Sequence, residues 1–123
     1  MPISVIRDDP FYLDWGSSVY VIVVATNIVG DSLPSSEGNG AVIVTVPDAP
    51  INVENVPAIT SGNQIGLTWS PGLVEGGSPL IDYRISYDSG LGTDVYTELV
   101  SGLTTTTHTV TSLTRGVTYK FKL

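Results

Sequence analysis

Two short stretches of this chain echo each other. Leu13-Asp14-Trp15-Gly16-Ser17-Ser18-Val19 and Leu113-Thr114-Arg115-Gly116-Val117-Thr118-Tyr119 share a Leu-x-x-Gly frame at an offset of 100 positions. The residues that follow keep step, with Val19, Val21 and Val23 matching Tyr119, Phe121 and Leu123 as inward-facing positions. Self-similarity at a fixed period marks a repeated structural unit, and about 100 residues is the size of one β-sandwich domain. A chain of 123 residues therefore holds one period plus an overlap that begins in the middle of a domain.

Composition agrees with that class. Val, Ile and Thr number 16, 10 and 14 against 4 Ala and 2 Lys, so β-branched residues dominate and good helix formers are scarce. Glycine (13) and proline (8) punctuate the apolar runs, so turns are frequent. Strands are predicted over Val19–Asn27, Ala41–Val46, Gln64–Ser70, Leu80–Tyr87, Val95–Val100, Thr107–Leu113 and Val117–Leu123. Three of them alternate cleanly. Ile65, Leu67 and Trp69 form one inward set, Ile81, Tyr83, Ile85 and Tyr87 a second, and Tyr119, Phe121 and Leu123 a third beside outward Lys120 and Lys122.

These motifs resemble tandem fibronectin type III domains, a seven-stranded family of the immunoglobulin-like sandwich class. Pro47-Asp48-Ala49-Pro50 resembles the interdomain linker and the start of strand A. Gly66-Leu67-Thr68-Trp69 resembles strand B with its core tryptophan, Ile81–Tyr87 resembles strand C, and Leu113-x-x-Gly116-x-x-Tyr119 resembles the tyrosine corner opening strand F. Earlier in the chain, Val21 to Ser32 resembles the end of a strand F and its F–G turn, followed by strand G at Ala41–Val46. The resemblance implies an all-β, antiparallel sandwich with one partial and one nearly complete domain. Residues 1–46 would be strands E to G of a first domain and residues 47–123 strands A to F of a second. It also implies an extracellular or cell-surface structural or adhesive protein. The first unit departs from the pattern by placing Val19 at the tyrosine-corner position, where no hydroxyl is available, and no Arg-Gly-Asp occurs.

On this reading neither sandwich is complete, and strand F of the second would expose an unpaired edge beside an open core. A neighbouring copy donating its Val19–Val46 hairpin would fill that gap, and the operation repeats head to tail into a filament. The strand-completion interface would be Val42, Val44 and Val46 against Tyr119, Phe121 and Leu123. Two alternatives stay open. The segment could be a window on a longer array with its missing strands attached covalently, or a binding module whose loops Pro71–Ser78 and Asp88–Asp94 recognise a protein or a carbohydrate.

Other chemistry finds little support. The formal charge is -7 with only five Lys and Arg, which argues against a phosphate-tracking nucleic-acid surface. No apolar run approaches the roughly 18 residues of a membrane span. Cysteine is absent, removing thiolate metal sites and thiol nucleophiles together. The single histidine, His108, lies in a polar run and reads as a solvent-facing strand residue. No nucleophile elbow occurs, and the acidic pairs Asp8-Asp9 and Asp88 with Asp94 read as solvated turns, so neither an enzyme nor a cofactor is expected. Asp31, Asp48, Asp88 and Asp94 sit in loops and could be offered to calcium, but loop aspartates more often cap their own turns, so no metal is expected. Phe11, Tyr12 and Trp15 could form a contact patch, but are rather expected to cover the base of the first core. No Asn begins an N-glycosylation triplet, whereas Thr104, Thr105, Thr106 and Thr107 are candidate O-glycosylation sites for a glycan coat.

Overall fold

The computed structural model describes residues 3–123. Apart from one short helix, α1 (Ile3–Arg7), every regular element is a strand: β1 (Ser18–Val21), β2 (Gly38–Val42), β3 (Ile51–Asn55), β4 (Ile65–Ser70), β5 (Tyr83–Tyr87), β6 (Thr97–Leu103), β7 (Thr107–Val110) and β8 (Phe121–Lys122). All pairings are antiparallel. Two units separate: residues 1–46 with Val74–Pro79, and Pro47–Leu73 with Leu80–Leu123.

The second unit is a sandwich of two three-stranded sheets, β3-β4-β7 and β6-β5-β8. Its core follows from the alternation of the two central strands. Leu67 and Trp69 of β4 and Tyr83 and Ile85 of β5 are buried, joined by Val110 of β7. Each such burial contributes roughly 1.5–3 kcal/mol. The Trp69 and Tyr83 rings meet edge to face at 5.5 Å, a geometry that aligns ring edge with ring face. Ile65, Tyr87, Tyr119, Phe121 and Leu123 are half-buried on the expected sides.

Several expectations are corrected. Ile81 is 86% exposed, because β5 begins only at Tyr83; upstream of it the chain has left the sheet, and Leu80 packs against the core instead. His108 is half-buried rather than solvent-facing: it pairs with Leu67 across the β4–β7 ladder and therefore lies on the core-facing side, two residues from Val110. The expected strand at Val95–Val100 is displaced to Thr97–Leu103, and Val117–Leu123 shortens to Phe121–Lys122.

The first unit pairs β1 with β2 and, among its described large apolar residues, buries only Ile43. Val21 and Val23, expected to face inward, are 56% and 63% exposed, since no second sheet covers this hairpin among the described residues. The expected long strand Val19–Asn27 is interrupted for a local reason. Past β1 the arm is stitched partly by side chains: the Ser35 and Ser32 hydroxyls accept the N–H groups of Val23 and Ala25, both at 3.0 Å, in competition with a regular ladder. Phe11 and Tyr12 are exposed rather than covering a core, while Trp15 is half-buried under the Arg7 guanidinium at 4.1 Å.

The hundred-residue echo has a structural counterpart. Gly16 (φ +89) and Gly116 (φ +80) both adopt the left-handed region, and each closes the same turn. Ser17 N–H donates to the Asp14 carbonyl at 3.2 Å, and Val117 N–H donates to the Thr114 carbonyl at 3.3 Å. Glycine is required there because a Cβ would resist positive φ.

Candidate functional site

The second-unit half of the expected interface is built on β8. Pairing of Ser86 with Lys122 and of Tyr87 with Phe121 fixes its register on β5. Tyr119, Phe121 and Leu123 consequently point to one face and are each half-buried, while β8 has no strand on its other side among the described residues. Just upstream, the Tyr119 hydroxyl accepts the Thr114 N–H at 2.9 Å and closes the corner, and its ring stacks on Tyr87 at 6.4 Å. On the outward side Lys122 Nζ lies 4.1 Å over the Tyr96 ring, and Lys120 Nζ donates to Asp94 at 3.1 Å. That bond, with the Asp94 charge, pushes the Lys120 ammonium above its ordinary range.

In the first unit, Val42, Val44 and Val46 are 50%, 47% and 79% exposed. Val42 is opposite Ser18, whereas Val19 is opposite Ala41, so Val42 lies on the other face of the hairpin from Val19. Residues Thr104–Thr106 connect β6 to β7, crossing from one sheet to the other. Thr104, Thr105 and Thr107 are exposed; Thr106 is half-buried, and its carbonyl accepts the Trp69 N–H at 3.0 Å. The Thr105 hydroxyl donates to the Thr107 carbonyl at 3.0 Å.

Asp88 is the group that sequence reasoning undervalued. It is 1% exposed and immediately follows β5. Its Oδ1 accepts the N–H groups of Gly90 (2.9 Å) and Lys120 (3.0 Å), its Oδ2 accepts that of Gly92 (3.1 Å), and its own N–H donates to the Lys120 carbonyl at 3.1 Å. The Lys120 N–H above all, then those of Gly90 and Gly92, hold the carboxyl below its ordinary range against the opposing effect of burial. The spacing Asp-x-Gly-x-Gly, with Gly90 (φ +72) and Gly92 (φ +68) free to turn, was the legible sign. One carboxylate thus pins the β5–β6 loop to Lys120, just before β8, and presents Leu91, 74% exposed, at its tip.

The other loop aspartates are separately engaged. Asp31 accepts the Thr26 hydroxyl at 2.5 Å and Asp94 takes Lys120. Among the described residues no three His, Cys, Asp or Glu side chains come together as a metal site, and no helix is long and apolar enough to cross a membrane.

Sequence comparison decides the family. Residues 48–123 match the fibronectin type III domain, which is more than half of the chain. The chain belongs to the fibronectin type III family. Solved structures share the fold. A crystal structure of a run of domains from titin superposes with a TM-score of 0.60 over 89% of this chain and 35% of that one, at 21% identity. A structure of titin kinase and its flanking domains gives 0.52, over 62% of this chain and 13% of that one at 24% identity. A human fourth fibronectin type III domain, solved in solution, gives 0.54 at 22% identity, over 63% of each chain. In every case the chain spans less than two thirds of the matched structure. As a fibronectin type III domain or portion of one, it is a structural module and not a catalyst.

Proposed function

We propose that this chain is a structural repeat module of an extracellular or cell-surface protein that assembles head to tail by β-strand completion between copies. Residues 1–46 act as strands E to G of one fibronectin type III-like domain and residues 47–123 as strands A to F of the next. The observation that carries the reading is the outer edge of β8, unpaired among the described residues beside half-buried Tyr119, Phe121 and Leu123. The matching element is the β1–β2 hairpin and the segment that continues it: β2 ends at Val42, short of the expected Val46, and Val42, Val44 and Val46 are exposed while Ile43 alone is buried among the described large apolar residues of the unit, too little for a two-stranded ribbon to be stable in water alone. Charge favours the same polarity: all 12 Asp and Glu lie within residues 1–98, whereas residues 99–123 hold Arg115, Lys120, Lys122 and no acid. An acidic hairpin is thereby steered to a basic edge.

Electron microscopy of the purified chain tests this. Fibres are expected, and Val44→Pro, which removes a backbone donor from the incoming strand, is expected to abolish them. Single particles at every concentration, or fibres unchanged in Val44→Pro, would overturn the reading. A second reading, recognition of a protein or carbohydrate, is favoured by the Asp88-braced loop that holds Leu91 outward; alanine substitution of Leu91 would then weaken partner binding and leave fibres intact. Thr104, Thr105 and Thr107, exposed on the β6–β7 crossing, are where a glycan coat would attach, with half-buried Thr106 the least accessible of the run.

A further inference from the structure

The edges of the second unit are unequally defended against strand pairing. An edge strand offers unpaired N–H and C=O groups, which proteins ordinarily blunt with bulges, charges or proline. β3 has a register irregularity between Ile51 and Glu54, a positive φ at Asn52 (+53) and prolines on both flanks. β6 has two irregularities against β5, Glu98 paired with Arg84, and Gly102 at φ +73. β8, only two residues long (Phe121–Lys122), is the edge already assigned to strand completion. β7 has none of these defences. Its ladder with β4 runs through four consecutive pairs without a break, and residues 104–114 contain no Pro, Asp, Glu, Lys or Arg.

The Trp69 N–H donates to the Thr106 carbonyl. Alternation along an antiparallel ladder then turns the backbone groups of Thr106, His108 and Val110 toward β4 and those of Thr107 and Thr109 outward. The Thr107 carbonyl already accepts the Thr105 hydroxyl but keeps a second lone pair.

We infer that β7 pairs with β7 of a second copy about a two-fold axis through His108, joining two three-stranded sheets into one. The edge is complementary to itself: setting Thr107 of one copy opposite Thr109 of the other makes both outward-facing residues hydrogen-bonded pairs and lays Thr against Thr, a favourable cross-strand contact. Electrostatics select the same place, because copies that each carry -7 repel least where no carboxylate lies. Four residues bury little surface, so the contact is weak alone and gains strength by multiplicity in an assembly. It goes beyond head-to-tail completion, leaving β8 and the Val42–Val46 segment unused, and gives a filament a lateral contact.

The test isolates this edge in a Val44→Pro background, where strand completion is blocked. Sedimentation is expected to show a concentration-dependent dimer. Adding Thr109→Pro, which removes an N–H pointing away from β4, is expected to raise the dimer Kd at least about tenfold with the thermal midpoint kept. A dimer indifferent to Thr109→Pro, or a Val44→Pro chain that is monomeric throughout, overturns the inference. Because the chain has no cysteine, His108→Cys gives a reading that does not depend on Thr109→Pro folding. Facing Cα atoms in a non-hydrogen-bonded pair lie about 4.5 Å apart, within disulfide range, so mild oxidation should yield a covalent dimer. Ser101→Cys on β6 should not; equal cross-linking from both positions overturns the proposal. Failure of strand completion would appear separately, as wild-type fibres that survive Val44→Pro.

Discussion

A buried carboxylate with three backbone donors makes Asp88 a residue whose charge the fold uses. Its folded-state pKa lies below the ordinary 3.8, so the unfolded chain binds the proton more readily. The resulting stability is fully present above the ordinary value and is lost as pH falls through the folded one. Asp88→Asn places an amide N–H against a backbone N–H that now donates, and is expected to lower the urea midpoint at neutral pH. The gap between wild type and variant should narrow below about pH 4; a gap constant from pH 7 down to 2 would show that the charge is not the stabilising feature. Lys120 acts in the opposite sense at the alkaline end. Raised above 10.5 by Asp94, its contribution is complete below that value and lost as pH rises through the folded one, but both side chains are exposed and solvent screens the pair.

At the scale of elements, the two central strands were the most legible. β4 and β5 sit in the middle of their sheets, so one face of each is set by the core, and period-2 alternation marks that face directly. What alternation could not show is the space above the other face. Gly66 of β4 is buried beneath Val56 and Ile59, and a Cβ there would lie 2.8 Å from the Ile59 Cβ and 3.2 Å from the Val56 Cβ. Gly66→Ala is therefore expected to cost about 1–3 kcal/mol through overpacking, measurable by urea denaturation; a neutral effect would mean that the Val56–Ile59 turn yields freely. Strand ends were less legible for a related reason. Where β5 begins depends on where the chain from Pro79 rejoins the sheet, and that moved Ile81 out of the core and Leu80 into contact with it.

For the whole molecule, burial is concentrated in one unit. Leu67, Trp69, Tyr83, Ile85 and Val110 form a shared core in the second, whereas the first buries only Ile43 among its described large apolar residues. Opening free energy follows such packing, so amides of β4 and β5 are expected to exchange with deuterium slowest and those of β1 and β2 much faster. Equal protection in dilute, unassembled chain would contradict that order. Assembly by strand completion should then slow exchange in β2 and β8 together, and lateral pairing should slow it at Thr107 and Thr109.

Sequence alone determined what is local: an all-β chain, the faces of the central strands, and the paired glycine turns one period apart. Each rests on backbone preference and side-chain alternation within a few residues. Tertiary structure decided what depends on partners far along the chain. Asp88 is a lock because Lys120 brings its N–H from 32 positions away, and β7 is an edge because, among the described residues, β4 alone pairs with it. A side chain's neighbours across a sheet are set by register, and register is fixed only when the whole core closes.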